Sequence, residues 1–396
     1  MTQALISVAF VLVAWALLAV PLDRFRITAP ITVVLAGIAI GFTTRNTIAE
    51  DLNTEVALHA AEIILALLLF IDASDVRGGL FGSDPRSVLR ILFIALPLSL
   101  GFAVLLGLWL LPGSNWAVLL VIACVVVPID FAPAAFIVRD RRIPAPVRNV
   151  LNVESGYNDG VVSPILIFAL ALAAQSTHAN TPMEALSTAV PSALKAILVG
   201  SVVGVALAFT TNIAERHNLM TDQSKRIALV AAPVLSYAGA ITIGGNGFIA
   251  AFVCGFVCNY VRKPEPFRRE LELLDDIGFL LTVVMWFVFG SAAVFVLYGS
   301  FSWRTILYCL LALTIVRIAP VLVAMVRSNF SYRDRLRIAW LGPRGTTSIV
   351  FGLLAFNRLN GDAAELALAA MVFVVLGSVV LHGATATIGI NRSDPS

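Results

Sequence analysis

The sequence predicts an all-α integral membrane protein with thirteen transmembrane helices, arranged as an inverted repeat with two broken helices that cross near the middle of the bilayer. The first supporting observation is composition: 59% of the 396 residues are hydrophobic and 13% are charged, whereas soluble domains carry about 25% charged residues. The second is a series of apolar runs long enough for membrane helices of about 20 residues. The third is the alternation of basic residues between successive polar breaks.

The apolar runs give thirteen spans, whose boundaries follow the polar breaks between them. Only the turn Gly244-Gly245-Asn246-Gly247 separates the eighth span from the ninth. The N-terminal run has no basic residue before it, so we interpret it as the first span rather than a cleaved signal peptide. The predicted spans lie near residues 3–20, 27–43, 54–73, 88–111, 116–138, 148–174, 184–212, 226–243, 246–261, 273–298, 303–326, 336–357 and 363–389.

The basic residues predict the orientation of the chain in the cell's inner or plasma membrane. Of the 27 lysines and arginines, 21 fall in the breaks after odd-numbered spans and 4 in the other breaks. Cytoplasmic loops are enriched in basic residues, so the N-terminus is expected outside and the C-terminus in the cytoplasm. Residues 1–390 are expected to form one transporter domain, followed by a short tail at 391–396.

Five charged residues are predicted at the depth of the bilayer centre, where a charge costs about 3 kcal/mol or more on insertion scales and usually has a functional or pairing role. They are Asp130, Glu154, Asp159, Arg317 and Arg344. Three carboxylates and two guanidinium groups leave one negative charge, which one proton or one monovalent cation can neutralise, but not both together. Two further residues of the third span bear on this sum: Glu62 is expected to face the bundle interior or a water-filled vestibule, and His59 has less claim to a role.

Two of these spans carry helix breakers beside their charges. Pro128 and Pro133 flank Asp130 on the fifth span, and the segment Gly342-Pro343-Arg344-Gly345 lies on the twelfth. Proline removes an amide donor and glycine loosens a helix, so both spans are expected to unwind. The two spans run in opposite directions, which is typical of inverted-repeat transporters with a site at the midplane.

The sixth span carries the segment Asn152–Gly160, NVESGYNDG. Ser155 and Asp159 share one face of this helix, and Glu154 and Asn158 share the adjacent face. Carboxylate, hydroxyl and carbonyl oxygens are the ligands that a small hard cation prefers. Together with Asp130, Arg317, the Gly-x-Arg-Gly segment at 342–345 and the segment at 68–74, this pattern resembles the monovalent cation/proton antiporters of the NhaP and sodium/proton-exchanger type, over essentially the whole chain.

The resemblance implies a role for each of these residues. Asp159 is expected to carry the cation or the proton, with Ser155, the backbone carbonyl of Ile129 and Asn158 completing or holding the site, while Glu154 pairs with Arg317, and Asp130 and Arg344 stabilise the broken helices. It further implies electroneutral exchange of Na⁺ for H⁺ without a cofactor, in a homodimer. Spans 4–6 and 11–13 (about 88–174 and 303–389) would form a moving core, and the remaining spans (about 3–73 and 184–298) a scaffold.

One departure from the family leaves the ion preference open. The family usually has Thr-Asp-Pro on the fifth span, where this chain has Ile129-Asp130-Phe131. Exchange of K⁺ or another monovalent cation for H⁺ is the alternative on the same scaffold, and a channel or a transporter of another solute is the remote one. No histidine, cysteine or serine cluster indicates an enzyme, and the basic loops indicate contacts with the lipid bilayer rather than with nucleic acid. The cysteines are expected to be packing residues, and His178, His217 and His382 to lie in loops or at span ends.

Overall fold

The computed structural model contains helices and no strand in the residues that it describes, which are 2–24, 28–44, 52, 54–74, 76, 81–134, 137, 140–173, 182–262, 264–299 and 301–388. Outside these residues lie the predicted tail at 391–396, His178 and the basic residues Arg26, Arg45, Arg77, Arg139, Lys263 and Arg392. In chain order the helices are α1 (Thr2–Arg24), α2 (Ala29–Thr44), α3 (Glu55–Ser74), α4 (Pro85–Leu110), α5 (Trp116–Val126), α6 (Ala145–Ala173), α7 (Pro182–Arg216), α8 (Asp222–Thr242), α9 (Gly247–Val261), α10 (Pro264–Tyr298), α11 (Trp303–Ala324), α12 (Tyr332–Trp340), α13 (Thr346–Arg358) and α14 (Gly361–Ile388).

Helices that are long and apolar enough to cross a membrane run through the whole chain. Within the described ranges there are seven of them, namely α3, α4, α6, α7, α10, α11 and α14, and shorter apolar stretches lie in α1, α2, α5 and α9. The protein is therefore an integral, multi-pass membrane protein, as the composition predicts. The number of thirteen crossings stays a prediction, because the other described helices do not combine the length and the apolar composition of a full span.

Three helices differ from their predicted spans. α10 begins at Pro264 rather than near 273, because its polar first turns are stabilised by contacts such as the buried ion pair of Glu270 with Arg262. α11 is interrupted at Thr314, whose hydroxyl donates to the Leu310 carbonyl at 2.8 Å and competes with the helical ladder. α4 contains a π-helical turn at Ile91–Ala95. Apolar periodicity contains no signal for any of these features.

Two non-helical segments approach each other in the middle of the structure. The first follows α5, which ends at Val126, and leads into a 3₁₀ turn at Ala132–Ala134. The second joins α12, which ends at Trp340, to α13. The amide of Asp130 donates to the Pro343 carbonyl at 2.8 Å, so the two segments contact each other through their backbones.

The close approach of these segments requires glycine on one side. A Cβ atom added at Gly345 would lie 2.6 Å from Oδ2 of Asp130, which is well inside van der Waals contact. α6 lies beside this crossing and contacts α3, α5 and α9. The crossing and α6 together position the candidate site.

Candidate functional site

Asp159 is the central residue of the 29-residue helix α6, and its side chain is 3% exposed. Oδ2 of its carboxylate accepts a hydrogen bond from the Thr347 hydroxyl at the start of α13. Oδ1 has no hydrogen-bond partner within the part of the chain that the structure describes. In the same part of the chain no lysine or arginine forms an ion pair with this carboxylate. One of its two oxygens is therefore buried without a hydrogen-bond partner among the described residues.

Asp159 lines a cavity of about 290 Å³. The wall of this cavity carries four carboxylates and four hydroxyl groups, and no basic side chain belongs to it among the described residues. The polar lining residues are Asp72, Asp130, Ser155, Asp159, Asp275, Thr282, Thr346 and Thr347. Such a wall of oxygen atoms with excess negative charge suits a small cation rather than an anion.

Ser155 and Asn158 hold the backbone of the segment after α5. The Ile129 carbonyl accepts a hydrogen bond from Nδ2 of Asn158 at 2.8 Å and from Oγ of Ser155 at 3.5 Å. Ser155 lines the cavity together with Asp159, whereas Ile129 and Asn158 lie behind the lining residues. The Ile129 carbonyl thus already accepts hydrogen bonds from two side chains of α6.

Asp130 and Arg344 satisfy the backbone groups that the two non-helical segments leave unpaired. Oδ1 of Asp130 accepts from the Ala132 amide at 2.7 Å, and Oδ2 accepts from the Thr346 amide at 2.5 Å. Both donors begin helical turns, and negative charge is favourable at a helix N-terminus. Nε of Arg344 donates to the Val126 carbonyl at the end of α5 at 2.7 Å, and its Nη1 donates to the Gly342 carbonyl. Asp130 and Arg344 thus form hydrogen bonds with backbone groups that have no helical partner.

Glu154 and Arg317 form a buried ion pair. The two terminal guanidinium nitrogens of Arg317 donate to the two carboxylate oxygens of Glu154, Nη2 at 2.9 Å, and Nη2 also donates to the Ile338 carbonyl at 3.3 Å. The pair joins α6 to α11 and α12. Because its two charges compensate each other, it adds no net charge to the cavity beside it.

Two carboxylates of the cavity are absent from the charge sum drawn from the sequence. Asp72 lies near the end of α3 and Asp275 lies near the start of α10. Both occupy span ends, where an acidic residue normally indicates nothing more than the headgroup region. The sum of three carboxylates and two arginines is therefore incomplete, and the balance at the site also depends on these two residues. The only signal in the sequence was the position of Asp72 within the segment at 68–74.

Three residues outside the cavity can also be placed. Glu62 is buried, forms an ion pair with Arg358 at 2.7 Å and accepts a hydrogen bond from the Tyr237 hydroxyl at 3.0 Å. His59 is exposed, and its Nδ1 lies 2.7 Å from the Glu55 carbonyl of its own helix. His382 is the last residue of the apolar stretch Gly361–His382, in agreement with the expected position at a span end, but its side chain is buried.

His382 is buried inside α14, within 3.1 Å of the Ser378 hydroxyl and of the Trp340 carbonyl. The Ser378 hydroxyl in turn accepts from the Arg344 amide at 2.6 Å. Helix α14 therefore supports the segment between α12 and α13. One partner of His382, Ser378, lies one turn away on the same helix, and the other, Trp340, lies 42 residues away in the sequence. A lone histidine in an apolar run gives no signal for such contacts.

A family model described as sodium/hydrogen exchanger, transmembrane, matches residues 8–390. A Na⁺/H⁺ antiporter of Schizosaccharomyces pombe is 23% identical over 365 residues, covering 84% of this chain and 77% of that protein. The K⁺/H⁺ antiporter NhaP of Alkalimonas amylolytica is 26% identical over 340 residues, which cover 84% of this chain but 56% of that protein. The chain thus spans little more than half the length of this second relative.

Solved structures show the same fold. The sodium proton antiporter MjNhaP1 of Methanocaldococcus jannaschii, determined at pH 8, superposes with a TM-score of 0.79 at 19% identity, over 99% of this chain and 98% of that chain. At this identity the likeness is one of fold alone. Because the family model covers almost the whole sequence, the chain belongs to the transmembrane sodium/hydrogen exchanger family.

Proposed function

We propose that this protein exchanges Na⁺ for H⁺ across the membrane by competition of the two ions for Asp159. The observation that carries the proposal is the open oxygen Oδ1 of this buried carboxylate, at a cavity walled by carboxylate and hydroxyl oxygens. A buried carboxylate oxygen without a partner is costly. Either a bound cation or a proton removes that cost, and the binding of one excludes the other.

The neighbouring residues have separate tasks in this proposal. The Ser155 hydroxyl and the Ile129 carbonyl provide further oxygen ligands beside Asp159, and Asn158 holds the carbonyl in place. Asp130 and Arg344 keep the two broken segments crossed, so that the site stays assembled while it moves. Exchange is electroneutral when one Na⁺ replaces one proton on one carboxylate.

The cavity faces the cytoplasm in this conformation. Its carboxylates Asp72 and Asp275 belong to the end of α3 and the start of α10, which are the cytoplasmic ends if basic loops are inside. Spans 4–6 and 11–13 of a thirteen-span inverted repeat then move as a core against a dimeric scaffold formed by the others. This motion would carry Asp159 between the two sides.

The proposal is tested in proteoliposomes with an acid interior and a pH-sensitive dye. Added NaCl dissipates the pH gradient with the wild type, and Asp159→Asn abolishes the response because an amide binds neither ion as a charged ligand. The control is Asp222→Asn, which removes an exposed carboxylate (side chain 91% exposed) from a surface ion pair. Full activity of Asp159→Asn, or equal loss in the control, would contradict the assignment.

The same vesicles also test the alternative of K⁺/H⁺ exchange. One relative, from Alkalimonas amylolytica, is named a K⁺/H⁺ antiporter. NaCl, LiCl and KCl are compared at equal ionic strength, and we expect Na⁺ to dissipate the gradient at the lowest concentration. A response to KCl alone would assign the site to K⁺. Conductance without proton movement would indicate a channel.

A further inference from the structure

The hydroxyl of Thr347 contacts the proposed ion carrier directly. Thr347 lies in the first turn of α13, and its Oγ1 donates a hydrogen bond to Oδ2 of Asp159 on α6. The side chain is buried, with 5% of its surface exposed. No sequence motif points to this contact, because the two residues are 188 positions apart.

The two carboxylate oxygens of Asp159 therefore differ. Oδ2 is committed to the Thr347 hydroxyl, whereas Oδ1 has no partner among the residues described in the structure. Thr347 and Asp159 both line the cavity of about 290 Å³, which offers room for an ion and for several waters. This arrangement presents a single oxygen of the carboxylate to an incoming cation.

The side chain at position 129, on the segment after α5, supplies no hydroxyl to the cavity. Position 129 is isoleucine, whose side chain is buried and does not line the cavity. Its Cγ2 atom lies beside Gly342, where an added Cβ atom would be 3.0 Å away. The hydroxyl that reaches Asp159 comes from Thr347, in the first turn of α13.

We propose that Thr347 is a positioning residue that holds Oδ2 of Asp159, leaves Oδ1 for the ion and thereby sets the affinity for the transported cation. The inference rests on the proposed exchange at Asp159. Ion binding has a smaller entropic cost when the carboxylate side chain is already held in place. Removal of the hydroxyl frees the carboxylate to rotate, so the ion has to order it on binding and cation binding weakens.

The test compares Thr347→Val, which keeps the volume but loses the hydroxyl, with Thr347→Ser, which keeps the hydroxyl. Initial rates of Na⁺-driven proton flux in proteoliposomes give the apparent KM and the maximal rate of each variant. A hydrogen bond to a charged group contributes enough that its loss corresponds to about a tenfold change in affinity. We expect Thr347→Val to raise the apparent KM for Na⁺ about tenfold with little change in maximal rate, and Thr347→Ser to stay within about twofold of the wild type.

The matched control is Thr305→Val, which removes another buried threonine hydroxyl, on α11 and away from the cavity. The inference is overturned if Thr347→Val binds Na⁺ as well as the wild type, if Thr347→Ser is as weak as Thr347→Val, or if Thr305→Val has the same effect. Melting temperatures without Na⁺ show whether each variant is folded.

A second readout separates this inference from the proposed function. The rise in Tm of the detergent-purified protein on adding NaCl, compared with choline chloride, reports cation binding without transport. If the wild type is stabilised by Na⁺ but moves no protons, the exchange proposal fails, and loss of the stabilisation in Thr347→Val alone still supports the role of Thr347. Absence of both stabilisation and exchange in the wild type overturns both.

Discussion

At the scale of single residues, the four carboxylates that line the cavity differ in their exposure to solvent. Asp159 is buried, Asp72 and Asp130 are half-buried and Asp275 is exposed. Solvent screens an exposed carboxylate far more than a buried one, so the charge of Asp275 acts more weakly at the site than that of Asp159. Oδ1 of Asp159 has no hydrogen bond among the described residues, whereas both carboxylate oxygens of Asp130 accept hydrogen bonds from backbone amides. Direct competition between cation and proton therefore concerns Asp159 first.

The pH dependence of transport tests this competition. As the pH falls, protons occupy Asp159 and exclude Na⁺, so the apparent KM for Na⁺ rises; one competing proton gives about a tenfold rise for each pH unit on the acid limb. Initial rates at several NaCl concentrations and pH values give the slope. A rise of about a hundredfold for each unit would require a second carboxylate such as Asp72, and a flat profile would contradict competition. Asp72→Asn removes this second carboxylate, so it would reduce a hundredfold slope to a tenfold one and leave a tenfold slope unchanged.

At the scale of the elements, the site depends on two non-helical segments, and one charged residue in each hydrogen-bonds to backbone groups at their ends. Asp130 accepts from amides at the starts of two helical turns, and Arg344 donates to the last carbonyl of α5 and to Gly342. Unpaired backbone is tolerated inside a membrane protein only where other protein groups or a water-filled cavity satisfy it. The crossing is therefore a packed structure with little tolerance for added atoms.

Gly345→Ala is expected to disrupt this crossing. Its new Cβ atom would lie 2.6 Å from Oδ2 of Asp130, and overpacking of this kind costs about 1–3 kcal/mol. We expect a lower Tm of the detergent-purified protein and loss of Na⁺-driven proton flux. Gly101→Ala on α4 is the control, because a Cβ atom there meets nothing within 4 Å. Equal Tm values for the two variants would show that the crossing has room to spare.

At the scale of the whole molecule, one ion pair joins α3 to α13. Glu62 on α3 pairs with Arg358 at the end of α13 and accepts a hydrogen bond from Tyr237 on α8. In the proposed division of the molecule, α3 and α8 belong to the scaffold and α13 belongs to the core. The pair therefore has to open when the core moves outward. The Arg358 side chain is 53% exposed, and such a partly solvated pair is worth about 1 kcal/mol, which is little enough to break in each cycle.

Arg358→Gln is expected to favour the outward-facing conformation. Thr282→Cys places a thiol on the cavity wall, and the native cysteines are all buried, so labelling by a membrane-impermeant maleimide reports access to the cavity. We expect labelling from the cytoplasmic side in the otherwise native protein, and several-fold more labelling from the outside when Arg358→Gln is added. Arg304→Gln, an exposed arginine on the same predicted side, is the control. Unchanged sidedness would refute a gating role for the ion pair.

The sequence by itself determined the membrane class and the principal charges of the site. An excess of apolar residues leaves no other solvent than lipid for most of the chain, and proline and glycine beside Asp130 and Arg344 predict local loss of helix wherever the chain goes. The i, i+4 spacing of Ser155 and Asp159 likewise follows from helix geometry alone. These signals are local, so they survive without knowledge of the fold.

The tertiary structure alone decided which other residues reach Asp159. Asp72, Asp275 and Thr347 come from three different helices, and the hydroxyl of Thr347 lies against the carboxylate only because α13 begins where the segment after α5 crosses it. His382 joins the support of that crossing in the same way. No periodicity or composition encodes contacts between positions so far apart, because they depend on how the helices pack and not on the local conformation of any one of them.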